Sequence, residues 1–351
     1  MSNNLNNSLH KISCGLDSRF RAWLAGGFLV VSEILLLMVL SSGAVAWDAV
    51  AHRMSVAVAV EHIDADTRKK MLEILEAHPR YETDFLDEMP RYVRYWNEAG
   101  RELWLLGQAA FWPDTARRSA GETRRCNANW HYINSRQGNV YINNAVPRSG
   151  AGQGNPNIPC QAKDENIEYI VSALEHNSRL LANSNLAMPE RAVALCWVLH
   201  LIGDIHQPLH SGSLFSAGLF PDSDFGGNRI PVVLSGGGNS ATRNLHQAWD
   251  RALRQDGVSA SLKAIRANGN LQFNAAATDW QQWLAESEQL LTEVVYNEDI
   301  RQAIIRADKS GGKLEEIELD GDYVALMKQV AQQRLALAGL RMAAWLNNEL
   351  P

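Results

Sequence analysis

Apolar residues recur at spacings of three and four through most of the chain after residue 47, which is the period of amphipathic helices. The pattern predicts six helices, over 50–61, 66–77, 164–181, 189–205, 279–294 and 322–347. Asp164 and Asp322 open two of them as an N-cap or first-turn acid. Strand patterns are few and short, at 139–144 and 229–234, and the long loops rich in Gly, Pro and Ser are 150–159 and 212–228. With no internal repeat and no linker, the chain predicts one all-α domain.

Residues 1–46 differ from this pattern. A polar lead with a few basic residues precedes an apolar run over 23–40, and a small-residue motif ending at Ala46 follows. This order is typical of a signal peptide. We therefore expect cleavage after Ala46 and export of a domain over 47–351 to the periplasm or the medium. The alternative is an uncleaved membrane anchor, since the run nearly reaches spanning length, although Glu33 interrupts it.

Composition is that of a soluble globular protein, with 46% hydrophobic and 21% charged residues. This excludes a disordered chain, a collagen-like fibre and a multi-span membrane protein. The net charge of −6 argues against a broad basic face for nucleic acid, so any polyanion needs local positive charge such as bound metal. In an oxidising compartment Cys126 and Cys160 are a candidate disulfide pair, and we expect Cys196 to be a buried thiol.

Candidate chemistry lies in histidine and aspartate residues. His200 and Asp204 stand four residues apart, so both side chains leave one helix face, and His246 and Asp250 repeat that spacing. Three further candidates come earlier in the chain and one follows the proline after Asp204: these are His52, Asp114, His131 and His210. Taken alone, each His–Asp pair is more readily explained by a hydrogen bond between the two side chains on one helix face. His131, which follows a tryptophan, is more readily explained as a packed core residue.

Together the five histidines and three aspartates favour a metal centre. Apolar helices rarely carry several ionisable groups unless these are paired or bind metal. Imidazole and carboxylate without thiolate suit Zn²⁺ with open coordination positions, which is the catalytic kind of site. We expect structural or surface roles for the histidines that have no partner in the pattern, which are His62, His78, His176 and His206.

Six ordered motifs carry a family resemblance: WDAVAH, FWPD, WHYIN, HLIGDIHQPLH, GGN and NLHQAWD, beginning at Trp47. With them the chain resembles the zinc-dependent single-strand-specific nucleases of the S1/P1 type, relatives of bacterial zinc phospholipase C. The resemblance covers almost the whole mature chain. It implies a single mainly helical domain of the phospholipase C/nuclease type, with a short β-hairpin and long loops.

The resemblance implies three zinc ions. The first would be held by Asp114, His131, His200 and Asp204, and the second by His210, His246 and Asp250. The third would take the α-amino nitrogen and carbonyl oxygen of Trp47 with His52 and Asp204, so that Asp204 bridges two ions. Only cleavage after Ala46 turns the Trp47 nitrogen into an amine with a usable lone pair.

The resemblance also implies how substrate is handled. Asp114 and Asp204 would act in catalysis with Arg117, a basic residue against the phosphate, while Tyr132 stacks on a base and Asn134 and Asn228 bond its edge. Stacking tolerates every base but needs an unpaired strand. The alternatives are that Arg117 is an ordinary solvated arginine and that Tyr132 packs in the core.

We therefore expect an exported, monomeric endonuclease that hydrolyses single-stranded DNA and RNA to 5′-phosphorylated nucleotides, with 3′-nucleotidase activity and without stable membrane association. Zinc phospholipase C is the nearest alternative. A zinc-storage protein without catalysis is another, and a membrane-anchored helical scaffold is a third if residues 24–46 stay attached.

Overall fold

The computed structural model describes residues 47–116, 127–133, 139–143, 145, 167, 169–235, 243–254, 258–267 and 278–350. Ten α-helices lie in these ranges: α1 Ala49–Val60, α2 Ala65–Glu76, α3 Glu98–Ala116, α4 Ile170–Ala182, α5 Met188–Asp204, α6 Leu245–Asp250, α7 Val258–Ala267, α8 Trp280–Leu290, α9 Glu298–Ser310 and α10 Gly321–Glu349. Short 3-10 turns cover Val93–Tyr95, Ala128–His131 and Pro208–His210, and π-helical turns cover Glu82–Leu86 and Leu291–Val295.

Helix α5 is the centre of the core. Its second half is buried on every face, as expected for a helix that is apolar all round. Pro189 in its first turn has no amide hydrogen to leave unsatisfied there. Helices α1, α2, α3 and α4 pack around α5, and the long α10 lies along α1. The ligand-type residues at the end of α5 are therefore surrounded by packed helices.

The predicted mainly helical fold is confirmed, with one boundary in error. Five predicted helices begin and end within a few residues of α1, α2, α5, α8 and α10. The helix predicted from 164 begins at Ile170 instead, because extended Tyr169 is its N-cap and forms a capping box with Ser172. Asp322 lies in the first turn of α10, as expected, behind the N-cap Asp320. Helices α3, α6, α7 and α9 were not among the six predicted helices.

The expected β-hairpin is not found among the residues that the structure describes. The described part of the chain forms four strands, β1 Val140–Ile142, β2 Leu214–Ser216, β3 Val232–Leu234 and β4 Ile317–Leu319. They form two parallel pairs, β1 with β2 and β3 with β4. Parallel partners need long connections, so no tight turn joins them. Strands β1 and β3 confirm the two predicted strand segments, whereas β2 interrupts the predicted loop 212–228.

Three further expectations concern cysteines and membranes. Cys196 is fully buried in α5, as expected. Cys126, Cys160 and residues 1–46 lie outside the described residues. Within the described ranges, no helix combines the length and the apolar character that crossing a bilayer requires.

Candidate metal centre

The end of α5 carries the first two site residues. His200 Nε2 lies 3.0 Å from Asp204 Oδ2, one helical turn further on. On the other side of its ring, His200 Nδ1 donates a 2.7 Å hydrogen bond to the carbonyl oxygen of Ala110 in α3. This bond assigns the ring proton to Nδ1 and leaves the Nε2 lone pair facing Asp204.

Two neighbouring elements add Asp114 and His131. Asp114 lies fully buried near the end of α3, and His131 ends the 3-10 turn Ala128–His131. His131 Nδ1 is 3.0 Å from Asp204 Oδ2 and 2.8 Å from His200 Nε2. His131 is thus part of the cluster, and not only a residue packed beside tryptophan.

His52 comes from α1, which lies against α5. Its ring stacks on that of His200, with the centroids 4.0 Å apart, and its Nε2 is 3.3 Å from Asp204 Oδ1. Gly203 makes this approach possible, because a Cβ there would lie only 2.8 Å from His52 Nδ1. One ring nitrogen of His52, one ring nitrogen of His200 and one carboxylate oxygen of Asp114 lie within 4.8 Å of one another.

Asp204 stands between two groups of imidazoles. Its Oδ2 faces His131 and His200, while its Oδ1 faces His52 at 3.3 Å and His210 at 3.6 Å. A carboxylate in this position can offer one oxygen to each of two cations.

The second cluster is His210, His246 and Asp250, whose ligand atoms lie within 4.8 Å of one another. The two rings stack with centroids 5.2 Å apart. His210 Nδ1 donates to the carbonyl of His131, and His246 Nδ1 to that of Gly226, each at 2.7 Å. Both bonds turn Nε2 toward the cluster, where His246 Nε2 is 3.5 Å from Asp250 Oδ2.

Gly226 and Gln207 support the second cluster. Gly226 has φ +59°, and a Cβ there would lie 2.6 Å from the carbonyl oxygen of Leu209. Gln207, which is fully buried, donates from Nε2 to Asp250 Oδ1 at 2.8 Å and accepts from the Leu209 amide. Gln207 was not predicted from the sequence, where its one signal is that it is an uncharged polar residue inside the run from His200 to His210.

Trp47 is buried next to the start of α1, and the peptide that joins it to Asp48 contacts Asp250 of the second cluster. It is 1% exposed and directly precedes Asp48, whose carboxylate caps α1 by accepting from the Val50 and Ala51 amides. The Asp48 amide donates a 3.5 Å hydrogen bond to the carbonyl of Asp250. The start of the 47–351 segment is therefore held against the end of α6.

Burial and mutual charge shift the ionisation of the cluster. Burial, helped by the neighbouring His200, lowers the pKa of His52 to about 4. Burial also works against a charged His200, but the carboxylates of Asp204 and Asp114 outweigh it and raise its pKa. Burial would raise the pKa of Asp204, yet the imidazoles of His200, His210 and His131 hold it well below the usual value. The pKa of Asp250 is raised by burial.

The donor set fits divalent cations. Among the described residues, neither ring nitrogen of His52 nor Oδ1 of Asp204 has a hydrogen-bond partner, although all are buried. Leaving such atoms unpaired is costly unless a ligand satisfies them. Zinc ligands lie about 2.0–2.2 Å from the ion, which requires donor atoms to gather as closely as these do.

The predicted substrate residues are described only in part. Tyr132 is partly exposed at the end of the turn that carries His131, so it is not a core tyrosine. Asn228 is exposed, and its Nδ2 donates to the carbonyl of Phe225 at 2.9 Å. Arg117 and Asn134 lie outside the described residues.

Comparison with known proteins gives one family. The model of the S1/P1 Nuclease family matches residues 47–351. Nuclease S1 of Aspergillus oryzae is 27% identical over 188 residues, which are 50% of this chain and 61% of that protein. Endonuclease 2 of Arabidopsis thaliana is 27% identical over 225 residues, 62% of this chain and 70% of the relative. Endonuclease 4 of the same plant is 31% identical over 188 residues, which are 51% of this chain and 55% of that protein. The chain thus spans less than two thirds of the length of Nuclease S1 and Endonuclease 4.

Proposed function

Because the chain belongs to the S1/P1 nuclease family, we propose that it is a zinc-dependent endonuclease acting on single-stranded DNA and RNA. The products would be 5′-phosphorylated nucleotides, and 3′-nucleotidase activity belongs to the same proposal. One observation carries it: the Asp204 carboxylate lies between His131 and His200 on one side and His52 on the other. Sharing one carboxylate brings two cations close enough to act on one phosphodiester.

Three zinc ions would be held as the family resemblance implies. Asp114, His131, His200 and Asp204 would hold the first, His210, His246 and Asp250 the second, and Trp47, His52 and Asp204 the third. When bound, zinc supplies Lewis-acid polarisation of the phosphate and activation of water near neutral pH. Three dications also outweigh the charge of three aspartates, so an acidic protein can accept a polyanion.

The side chains of the site have separate roles in this proposal. Asp204 stays ionised, because the imidazoles around it hold its pKa well below the usual value. It therefore serves as a ligand and not as a proton acceptor. Asp114, buried beside His52 and His200, orients the attacking water. The hydrogen bonds to Ala110, His131 and Gly226 carbonyls fix three imidazole rings before substrate arrives.

Substrate would be held by residues at the edge of this centre. Arg117 would neutralise phosphate oxygens, and Tyr132, partly exposed next to His131, would stack on an unpaired base. Asn134 and Asn228 would bond the base edge. A base inside a duplex is already stacked on both faces, so this arrangement favours single strands.

Export is part of the proposal. The family match begins at Trp47, the residue that cleavage after Ala46 would expose. A free amine at Trp47 would complete the third zinc site. The mature protein would be a periplasmic or secreted monomer, and Cys126 and Cys160 would pair in that compartment.

One digestion experiment tests this function. Protein beginning at Trp47 is incubated with single-stranded DNA, single-stranded RNA, duplex DNA and phosphatidylcholine vesicles, with and without a chelator. We expect rapid chelator-sensitive cleavage of both single strands, slow cleavage of the duplex and no lipid hydrolysis. Hydrolysis of the lipid and of no nucleic acid would instead favour a phospholipase C. Zinc binding without turnover of any of these substrates would favour a zinc-storage protein.

Matched variants connect activity to the centre. Asp204→Asn should abolish cleavage, because it removes the bridging charge. Asp308→Asn is the control, since Asp308 accepts hydrogen bonds from Asn143, Ser216 and two backbone amides away from the clusters. Equal loss in both variants would mean that folding, and not metal binding, explains the effect.

A further inference from the structure

A pocket of about 450 Å³ lies at the N-terminal end of α6, the helix that carries His246 and Asp250. Its wall includes three basic residues, Arg229, Arg243 and Lys313, with the amide side chains of Asn228 and Asn244, and Phe220 contributes to its apolar part. Arg229, Arg243 and Lys313 are exposed, and Arg229 also donates from Nη1 to the Ser223 carbonyl at 3.2 Å.

The charge of this pocket is unusual for the protein. The chain carries a net charge of −6, yet no acidic residue belongs to the described lining. Three cations gathered around one cavity attract and concentrate anions there. The two asparagines add neutral hydrogen-bond donors. This is the chemistry that recognises a phosphate group.

Two elements that line the pocket also carry or support the second cluster. Asn244 directly precedes α6 and stands two residues before His246. Asn228 follows Gly226, whose carbonyl accepts the hydrogen bond from His246 Nδ1. The His246 amide donates to the carbonyl of Gly227, the residue before Asn228, so these two elements are in contact between the pocket and the cluster. An anion in the pocket would therefore lie near the phosphate that is cleaved, where the phosphate of a neighbouring nucleotide would be.

The loop that forms one wall is held rigidly. Ser223 and Phe225 have φ values of +101° and +55°, and the buried Asp224 carboxylate accepts from the Leu214 and Gly227 amides and from Tyr296. Residues kept in such conformations by their surroundings often mark binding loops.

The same loop presents an aromatic side chain. Phe225 is 47% exposed, and the Arg229 guanidinium lies 5.7 Å from its ring centroid. An exposed aromatic ring next to a basic groove is the arrangement that binds single strands, since the groove follows phosphates and the ring stacks on bases.

We propose that this pocket binds a backbone phosphate of a single-stranded nucleic acid, one or two nucleotides from the cleaved bond, with Phe225 stacking on an adjacent base. The inference rests on the proposed nuclease function and assigns it a second contact region. It predicts that Arg229, Arg243 and Lys313 matter only for substrates long enough to reach them.

The test compares a dinucleotide with a single-stranded 12-mer of oligothymidylate. The dinucleotide has only the scissile phosphate, so it leaves the pocket empty. In the double variant Arg243→Gln/Lys313→Gln, we expect KM for the 12-mer to rise about tenfold, with kcat unchanged. Both constants for the dinucleotide should stay as in the wild type, which shows that the metal centre is intact.

Salt dependence gives a second readout. Each phosphate contact adds about 0.7 to the slope of log affinity against log salt for single strands. Since the pocket holds one phosphate, the variant should lower that slope for the 12-mer by about 0.7. The matched control is Lys70→Gln/Arg91→Gln, which removes two exposed positive charges from other parts of the surface. It should leave both KM and the slope unchanged.

The outcomes separate this inference from the function on which it rests. Wild-type cleavage of both substrates, with no difference between the double variant and the control, would overturn the pocket assignment alone. An equal loss of activity of the double variant on the dinucleotide and on the 12-mer would also overturn the pocket assignment, since Arg243 and Lys313 would then act at the metal centre. A wild type that cleaves neither substrate would overturn the nuclease function and this inference together.

Discussion

Gly203→Ala is the sharpest single perturbation of the cluster. A Cβ at this position would lie 2.8 Å from His52 Nδ1, whereas ordinary contacts begin near 3.4 Å. The ring would have to move by about 0.6 Å. It has little room, because it is buried and stacks at 4.0 Å on His200. Helices α1 and α5 would therefore separate, or His52 would rotate away from Asp204.

Two opposing effects set the size of the stability change. Alanine is favoured over glycine within a helix by about 1 kcal/mol. Forcing an extra methyl group into a packed core costs about 1–3 kcal/mol. We expect the metal-free variant to be less stable by about 0–2 kcal/mol. Zinc affinity should be affected more than the stability of the metal-free protein, because a misplaced ligand lowers metal affinity about 10–100-fold.

The assay measures zinc per chain by mass spectrometry after chromatography, with melting in chelator to isolate the metal-free stability. Gly203→Ala should lose one zinc and most activity while keeping the fold. Gly321→Ala is the control, because a Cβ at the first residue of α10 meets nothing within 4 Å. Full zinc content and activity in Gly203→Ala would show that His52 does not hold a cation against α5.

Three further predictions concern the supports of the site. Gln207→Leu removes the 2.8 Å hydrogen bond to Asp250 and should weaken one zinc about 10–100-fold in chelator competition; unchanged competition curves would contradict this role. Burial raises the pKa of Asp224 from 3.8 to about 6, so the folded protein binds this proton more tightly than the unfolded chain does. Its contribution to the free energy of unfolding is complete below about pH 4 and is lost as the pH rises through 6, about 3 kcal/mol in all. Urea unfolding of Asp224→Asn should lack that decline, and parallel pH curves for the two proteins would refute it. Protein that retains residues before Trp47 should bind one zinc fewer, whereas full zinc content and activity would exclude a role for the free amine.

Most of the site was accessible from the sequence because its chemistry is local. The i, i+4 pairs ending α5 and α6 identify four residues directly, and the ordered motifs supply the others. The structure brings His52, Asp114, His131, His200 and Asp204 together from four elements. No spacing rule could show that closeness, since it depends on how α1 and α3 cross α5.

The errors also have physical causes. Helix α3 was missed because the half that carries Asp114 is buried on nearly every face, which hides the amphipathic period. The hairpin was expected from the family resemblance, because the strand patterns do not reveal their partners, and both strand pairs of the described residues are parallel. The basic pocket was not foreseeable, because Arg229 and Lys313 are far apart in the sequence and meet only through the fold.

The central claim is that one pocket of this chain holds three zinc ions. Crystals of the protein beginning at Trp47, measured on both sides of the zinc absorption edge, test it directly through anomalous scattering. The account predicts three peaks, one near His131 and His200, one between His210 and His246, and one beside His52. Absence of anomalous peaks at these side chains in crystals grown with zinc would contradict it.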